Sequence, residues 1–140
     1  MIRLRLGLWS QMQADAAPVR RAVFVQEQGI DESLEWDEAD ALSLHAVAYQ
    51  GMQAVGTGRL LPDARIGRMA VLPAFRRAQV GSQLLQALID AACERGHARV
   101  ELSAQTYVRA FYEAHGFVAF GPIYDDAGIP HQSMERRLQG

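Results

Sequence analysis

The sequence predicts a single α/β domain of mixed α+β character, with one mixed sheet and helices packed against it, spanning residues 1–140. Three observations predict it. Segments that alternate apolar and polar residues take turns with segments of helical period. Hydrophobic residues make up 49% of the 140, enough to bury most apolar surface around one core and no more. No repeat, low-complexity tract or linker interrupts the order.

Each element has its own signal. Ile2 to Leu8 alternates as a strand, and Asp15 is read as the N-cap of a helix carrying Val19, Val23 and Phe24, with Pro18 in its first turn and Gly29 as its stop. "SLHAVAYQ" from Ser43 and "QAVGTGRLL" from Gln53 read as a hairpin about Gly51. "ARIGRMAVL" from Ala64 follows as a third strand after a turn at Pro62 and Asp63. From Val80, the residues Val80, Leu84, Leu85, Leu88, Ile89 and Ala92 share one helical face, which closes at Arg95 and Gly96. "ARVELSA" reads as a strand, "TYVRAFYEAHG" as a short helix capped by Thr106 and closed by Gly116, and "FVAFG" and "HQSMERRL" as further strands.

Composition excludes several functions. All 14 basic residues are arginine, so Schiff-base and lysine-nucleophile chemistry are absent. A net charge of -2 with no basic stripe argues against nucleic-acid binding. Apolar runs fall short of the roughly 20 residues that cross a bilayer, and "MIRLRLGLWS" alternates where a signal peptide would carry an apolar block. No membrane association and a cytoplasmic location are expected. Cys93, the single cysteine, excludes an internal disulfide framework and is read as a small core residue. Four scattered histidines form no metal motif. His97 and His115, beside glycines, are read as cations at helix ends, and His131 as the opening of the last strand. From Glu27 to Asp40, "EQGIDESLEWDEAD" carries seven carboxylates and no basic residue. It is read either as a dock for a small cation or as a solvated loop, with Trp36 as its apolar anchor.

The strand, turn and helix around Arg76 and Arg77 suggest an anion site, because helix N-termini present unpaired N–H groups. A P-loop needs a lysine, and a dinucleotide fold needs three spaced glycines; both are missing. The segment "VLPAFRRAQVGSQLL" instead resembles the acetyl-CoA loop of the GNAT superfamily of N-acetyltransferases, Gln/Arg-x-x-Gly-x-Gly/Ala. Arg76 and Gly81 match its ends, and Gln79 departs from its middle glycine. "QTYVRAFYEAHGF" is similar to the family's second signature through Tyr112, Gly116 and Phe117, with Gln105 standing for its asparagine and Val108 for its alanine. "RRAVFVQEQGIDESLEWDEAD" and "DDAGIPHQSM" resemble the ElaA-type subgroup of small single-domain members, including the YjcF-like proteins.

The resemblance implies a GNAT-like fold: a central twisted sheet of about six to seven strands, flanked by about four helices. The sheet splays between the strand ending near Leu72 and the strand from Ala98. It also implies acetyl-CoA as cosubstrate, with no metal, and transfer of acetyl to a primary amine by direct attack in a ternary complex. By the same resemblance, backbone N–H groups of Arg76, Arg77, Ala78, Gln79, Val80, Gly81 and Ser82 hold the pyrophosphate, with Gln105 nearby. Met69, Ala70 and Val71 lie on a bulged strand that offers an N–H to the thioester oxygen. Tyr112 takes the position that protonates the leaving thiolate. "RIGRMAV" contains no glutamate or histidine, so Glu27 and His45 are the candidates for a base. The acceptor is a small-molecule or peptide amine, and a homodimer is compatible with the chain. The rival reading is a CoA-binding sensor or interaction module without turnover.

Overall fold

The computed structural model describes residues 1–138. In chain order the elements are β1 (Ile2–Leu8), α1 (Trp9–Arg20) running into a π-helical turn (Arg21–Glu27), β2 (Leu44–Gln50), β3 (Gln53–Leu60), β4 (Arg65–Val71), α2 (Val80–Glu94), β5 (Arg99–Gln105), α3 (Arg109–Ala114), β6 (Val118–Asp126) and β7 (Ile129–Arg137). The seven strands form one sheet in the order β1-β2-β3-β4-β5-β7-β6. Neighbours are antiparallel except β4 and β5, which run parallel.

The sheet is covered on both faces. On one side α2 buries Val80, Leu84, Leu85, Leu88, Ile89 and Ala92, the six residues its period predicts. Two glycines of β3 let it come close: a Cβ on Gly56 would stand 2.9 Å from both Leu84 and Val80, and one on Gly58 2.4 Å from Met69 Sδ. On the other side α1 packs Met12 and Ala16 against Val47 and Tyr49, while Val19 and Val23 meet Ala70.

Three expectations are corrected. The first helix starts at Trp9, six residues before Asp15, because the Gln11 side chain accepts the Leu8 N–H at 2.9 Å and does the work of a cap. Asp15 instead accepts a hydrogen bond from the Tyr49 hydroxyl at 2.6 Å. Cys93 is exposed, since Ala92 is the residue of that turn that faces the sheet. His115 is not a cationic cap: burial lowers its pKa, and Nε2 lies 3.0 Å from Ser82 Oγ. Pro18 lies inside α1 and cannot donate to it, and three residues later the backbone widens into the π-helical turn, with Gln28 N–H reaching Val23 O at 3.0 Å.

Candidate active site

The site begins where β4 leaves β5. These strands pair only through Arg65 with Glu101 and Ile66 with Leu102. Immediately beyond, Arg68 adopts φ 49, and the register with β3 shifts between Thr57 and Arg59. This is a β-bulge. Gly67 and Arg68 turn toward the α1 face in succession, so that Met69 and Val71 return to the α2 core while Ala70 meets Val19 and Val23. Leu72 N–H still bonds Val55 O of β3 at 2.9 Å. By strand alternation, the N–H groups of Met69 and Val71 point the other way, into the splay, while that of Ala70 points to β3.

The turn after β4 supplies further donors. Gln79, the residue before α2, sits at φ 62, ψ 19 with no side-chain cap. It therefore takes the left-handed conformation that glycine takes without strain. No described residue accepts the N–H groups of Gln79, Val80, Gly81 or Ser82. A Cβ at Gly81 would lie 3.4 Å from Phe111 and 3.8 Å from Val71, so the bare glycine leaves a gap between them. Uncapped donors beside that gap suit a diphosphate. Arg77 is exposed and has no ion pair among the described residues.

Tyr112 stands on the far bank. Its ring packs edge-on to Phe111 at 5.1 Å and Phe117 at 5.9 Å. Only 9% of the residue is exposed, and burial pushes its pKa up to about 12. Its hydroxyl has no hydrogen-bond partner among the described residues and is not fully sealed from solvent. It stays protonated at neutral pH, as a donor must.

Glu27 and Gln28, consecutive at the end of the π-helical turn, span the mouth. Arg76 Nη1 donates to Glu27 Oε2 at 2.7 Å, Nη2 to Oε1 at 2.5 Å, and its Nε to Val71 O at 2.9 Å. These hydrogen bonds from Arg76 hold the Glu27 carboxyl below its usual range. Gln28 and Gln105 exchange amide hydrogen bonds at 3.0 and 3.5 Å, and the Tyr107 hydroxyl donates to Gln105.

The acidic run is neither wholly an open cation dock nor wholly a solvated loop: Glu27, Asp31, Glu32, Asp37 and Glu38 are exposed, but six of its seven carboxylates already have a partner. Glu35 and Asp40 are each 3% exposed. Arg20 donates to Asp40 at 2.8 Å and to Glu35 O at 2.6 Å; Arg59 donates to Asp37 at 2.7 Å and Asp40 at 2.8 Å. Arg68, from the bulge, reaches Glu35 O at 3.2 Å and Asp37 at 3.3 Å. Hydrogen bonds from Arg59 hold Asp37 at about 2. For Asp40, burial pushes upward, but Arg20 and Arg59 outweigh it and the pKa falls. Glu35 goes the other way: burial prevails and its pKa rises. Glu32 pairs with Arg21 and Asp31 with Ser33, so Glu38 is the one carboxylate of the seven without a partner among the described residues. Trp36 anchors the loop under Arg20, whose guanidinium lies 4.8 Å from its ring.

His45 belongs to this knot and not to the splay, two strands away from β4. It is 1% exposed, with Nε2 2.8 Å from Asp40 O and its ring 4.6 Å from Trp9, and burial lowers its pKa. His131 bonds Ile129 O through Nδ1 at 2.8 Å. The structure thus gathers Met69, Val71, Arg76 through Ser82, Glu27 and Gln105 about one opening, and leaves His45 outside it. Sequence reasoning missed Arg20, Arg59 and Arg68. A signal for two of them was present, since an arginine inside the apolar strands "GTGRLL" and "RIGRMAV" must be paired if buried. Among the described residues, no cluster of three metal-ligating side chains occurs and no helix is long and apolar enough to cross a membrane.

The model of the acetyltransferase (GNAT) domain matches residues 11–138. The chain belongs to the GNAT acetyltransferase family. It is 40% identical over 124 residues to the uncharacterized N-acetyltransferase YjcF of Bacillus subtilis, covering 86% of this chain and 89% of that protein. Among solved structures it is similar to ElaA of Escherichia coli, with a TM-score of 0.86 at 27% identity, covering 98% of this chain and 100% of ElaA. A provisionally named N-acetyltransferase of Lactobacillus plantarum gives a TM-score of 0.90 at 32% identity, over 99% of each chain. As a GNAT member the chain is an acyltransferase, and its seven-stranded sheet with three α-helices and a π-helical turn is that family's fold.

Proposed function

We propose that the enzyme transfers an acetyl group from acetyl-CoA to a primary amine, the two substrates meeting in the splay between β4 and β5. One observation carries the reading: a two-rung parallel pairing opens at the Arg68 bulge directly beside an uncapped helix N-terminus. Acetyl-CoA supplies the acyl group as a thioester. The N–H groups of Gln79 through Ser82 hold its pyrophosphate, with Arg77 adding charge, and those of Met69 and Val71 face the carbonyl oxygen. As the amine nitrogen bonds the acyl carbon and the carbon–sulfur bond breaks, Tyr112 gives its phenolic proton to the departing sulfur. His45 is buried beneath Trp9 and out of reach, and Glu27 is ion-paired in the free enzyme; the amine enters neutral, and the proton its nitrogen sheds as the amide forms passes through water to the Tyr112 phenolate.

A panel of primary amines with acetyl-CoA, followed by thiol release and product mass, tests the activity. Calorimetry tests the site. Gly81→Pro removes one cradle donor and should weaken coenzyme A binding at least tenfold. Equal affinity would move the pyrophosphate elsewhere, and binding without turnover on any amine would favour a CoA sensor.

A further inference from the structure

Two neighbouring residues hold the two banks of the splay. Glu27 takes Arg76, beyond the end of β4, in a two-point ion pair, and Gln28 takes Gln105 at the end of β5. Arg76 is also fastened through Nε to Val71 O, so all three of its nitrogens are engaged. Its guanidinium belongs to the same turn as the uncapped donors from Gln79 to Ser82, where a diphosphate would offer it a second anionic partner. A carboxylate and a phosphate crowded on one guanidinium would repel each other.

Resting on the reading of this turn as the pyrophosphate seat, we propose that Glu27 is a positioning residue that holds Arg76 at the mouth in the free enzyme, and that the pyrophosphate of acyl-CoA takes Arg76 from it. The energetics favour exchange. Both side chains of the pair are 40% exposed, and ion pairs that open to solvent are weak and easily traded. A diphosphate carries more charge and presents its oxygens to the same planar fork. Glu27 itself stays in place, because the next residue is tied to Gln105. Arg77, already unpaired, needs no release and serves the first encounter.

Coenzyme A binding to the whole protein, measured by calorimetry at low salt, tests the exchange. Removing the competitor should help: Glu27→Gln should bind coenzyme A about threefold tighter, because an exposed pair is worth at most about a fivefold factor. Glu27→Asp, which keeps the charge on a shorter stem, should fall between that variant and the wild type. Arg76→Gln should bind about tenfold more weakly, and adding Glu27→Gln to it should change nothing more, since no arginine is left to compete for. A tie that only shapes the turn gives the opposite sign. Weaker or unchanged binding in Glu27→Gln overturns the exchange, as does a tightening that persists without Arg76. A wild-type protein that fails to bind coenzyme A is a different result and removes the reading of the turn itself.

Discussion

The knot of Arg20, Glu35, Asp37, Asp40, Arg59 and Arg68 and the turn from Arg76 to Ser82 are the two places where this domain concentrates polar groups, and they are built in opposite ways. In the knot three guanidinium groups meet three carboxylates at 2.7 to 3.3 Å, and Arg20, Arg59, Glu35 and Asp40 are almost wholly out of water. In the turn Arg76, Arg77, Ala78 and Gln79 are exposed, and four successive N–H groups have no acceptor among the described residues. Density of charge marks the first, and unspent hydrogen-bonding capacity marks the second. A ligand of the opposite sign gains little from groups that already satisfy each other, whereas donors without acceptors can only gain.

The strongest way to break this contrast is Asp40→Asn. Asp40 serves both Arg20 and Arg59, and removing its charge leaves two buried cations short of a partner, at a cost of about 3–5 kcal/mol. A thermal melt should fall by roughly 10 °C or more. Unchanged melting would show that the knot contributes no more than a surface pair.

Tyr112→Phe sharpens the other side. It should lower kcat by about a hundredfold, the low end of the range for general acid catalysis, with coenzyme A affinity retained. Its pH signature is separate. The unfolded tyrosine ionises near 10, while the folded one holds its proton to about 12, so the raised pKa contributes stability below 10 that is lost as pH rises toward 12. Stability measured by denaturant should fall with pH in that window, and less steeply in the phenylalanine variant, where Tyr49, whose pKa burial also raises, still titrates. The same slope in both would place the titrating group elsewhere.

Gln79→Gly gives the smallest effect. The left-handed backbone costs a side-chain-bearing residue about 1–2 kcal/mol, offset in part by the entropy of a free glycine, so the variant should gain about 0.5–1 kcal/mol. Its coenzyme A affinity should stay within twofold, because either residue supplies the same N–H. A destabilised variant would mean that the Gln79 side chain makes a contact that outweighs the strain.

Local signals were readable and distant partnerships were not. The buried face of α2 followed from spacing alone, and the turn before it from the motif that ends at Gly81. The start of α1 was hidden because a glutamine three residues inside the helix caps it, while Asp15, the residue type expected at a cap, is used by Tyr49. The acidic run looked open because its arginines lie far off in sequence, at Arg20, Arg59 and Arg68, on three different elements. The bulge was implied by family likeness, but nothing in "RIGRMAV" announces that its second arginine turns toward Glu35 and Asp37.

The two rungs between β4 and β5 act like the spine of a book. The leaves β1–β4 and β5–β7 are bound there, and beyond Ile66 and Leu102 no rung joins them. Widening the gap at its open end therefore breaks no ladder bond. Its width is set by what stands between the leaves: Phe111 against the Gly81 side of α2, Val71 opposite, and the Gln28–Gln105 clasp. A bulkier acyl chain would meet side chains that can rotate, not a backbone that must tear.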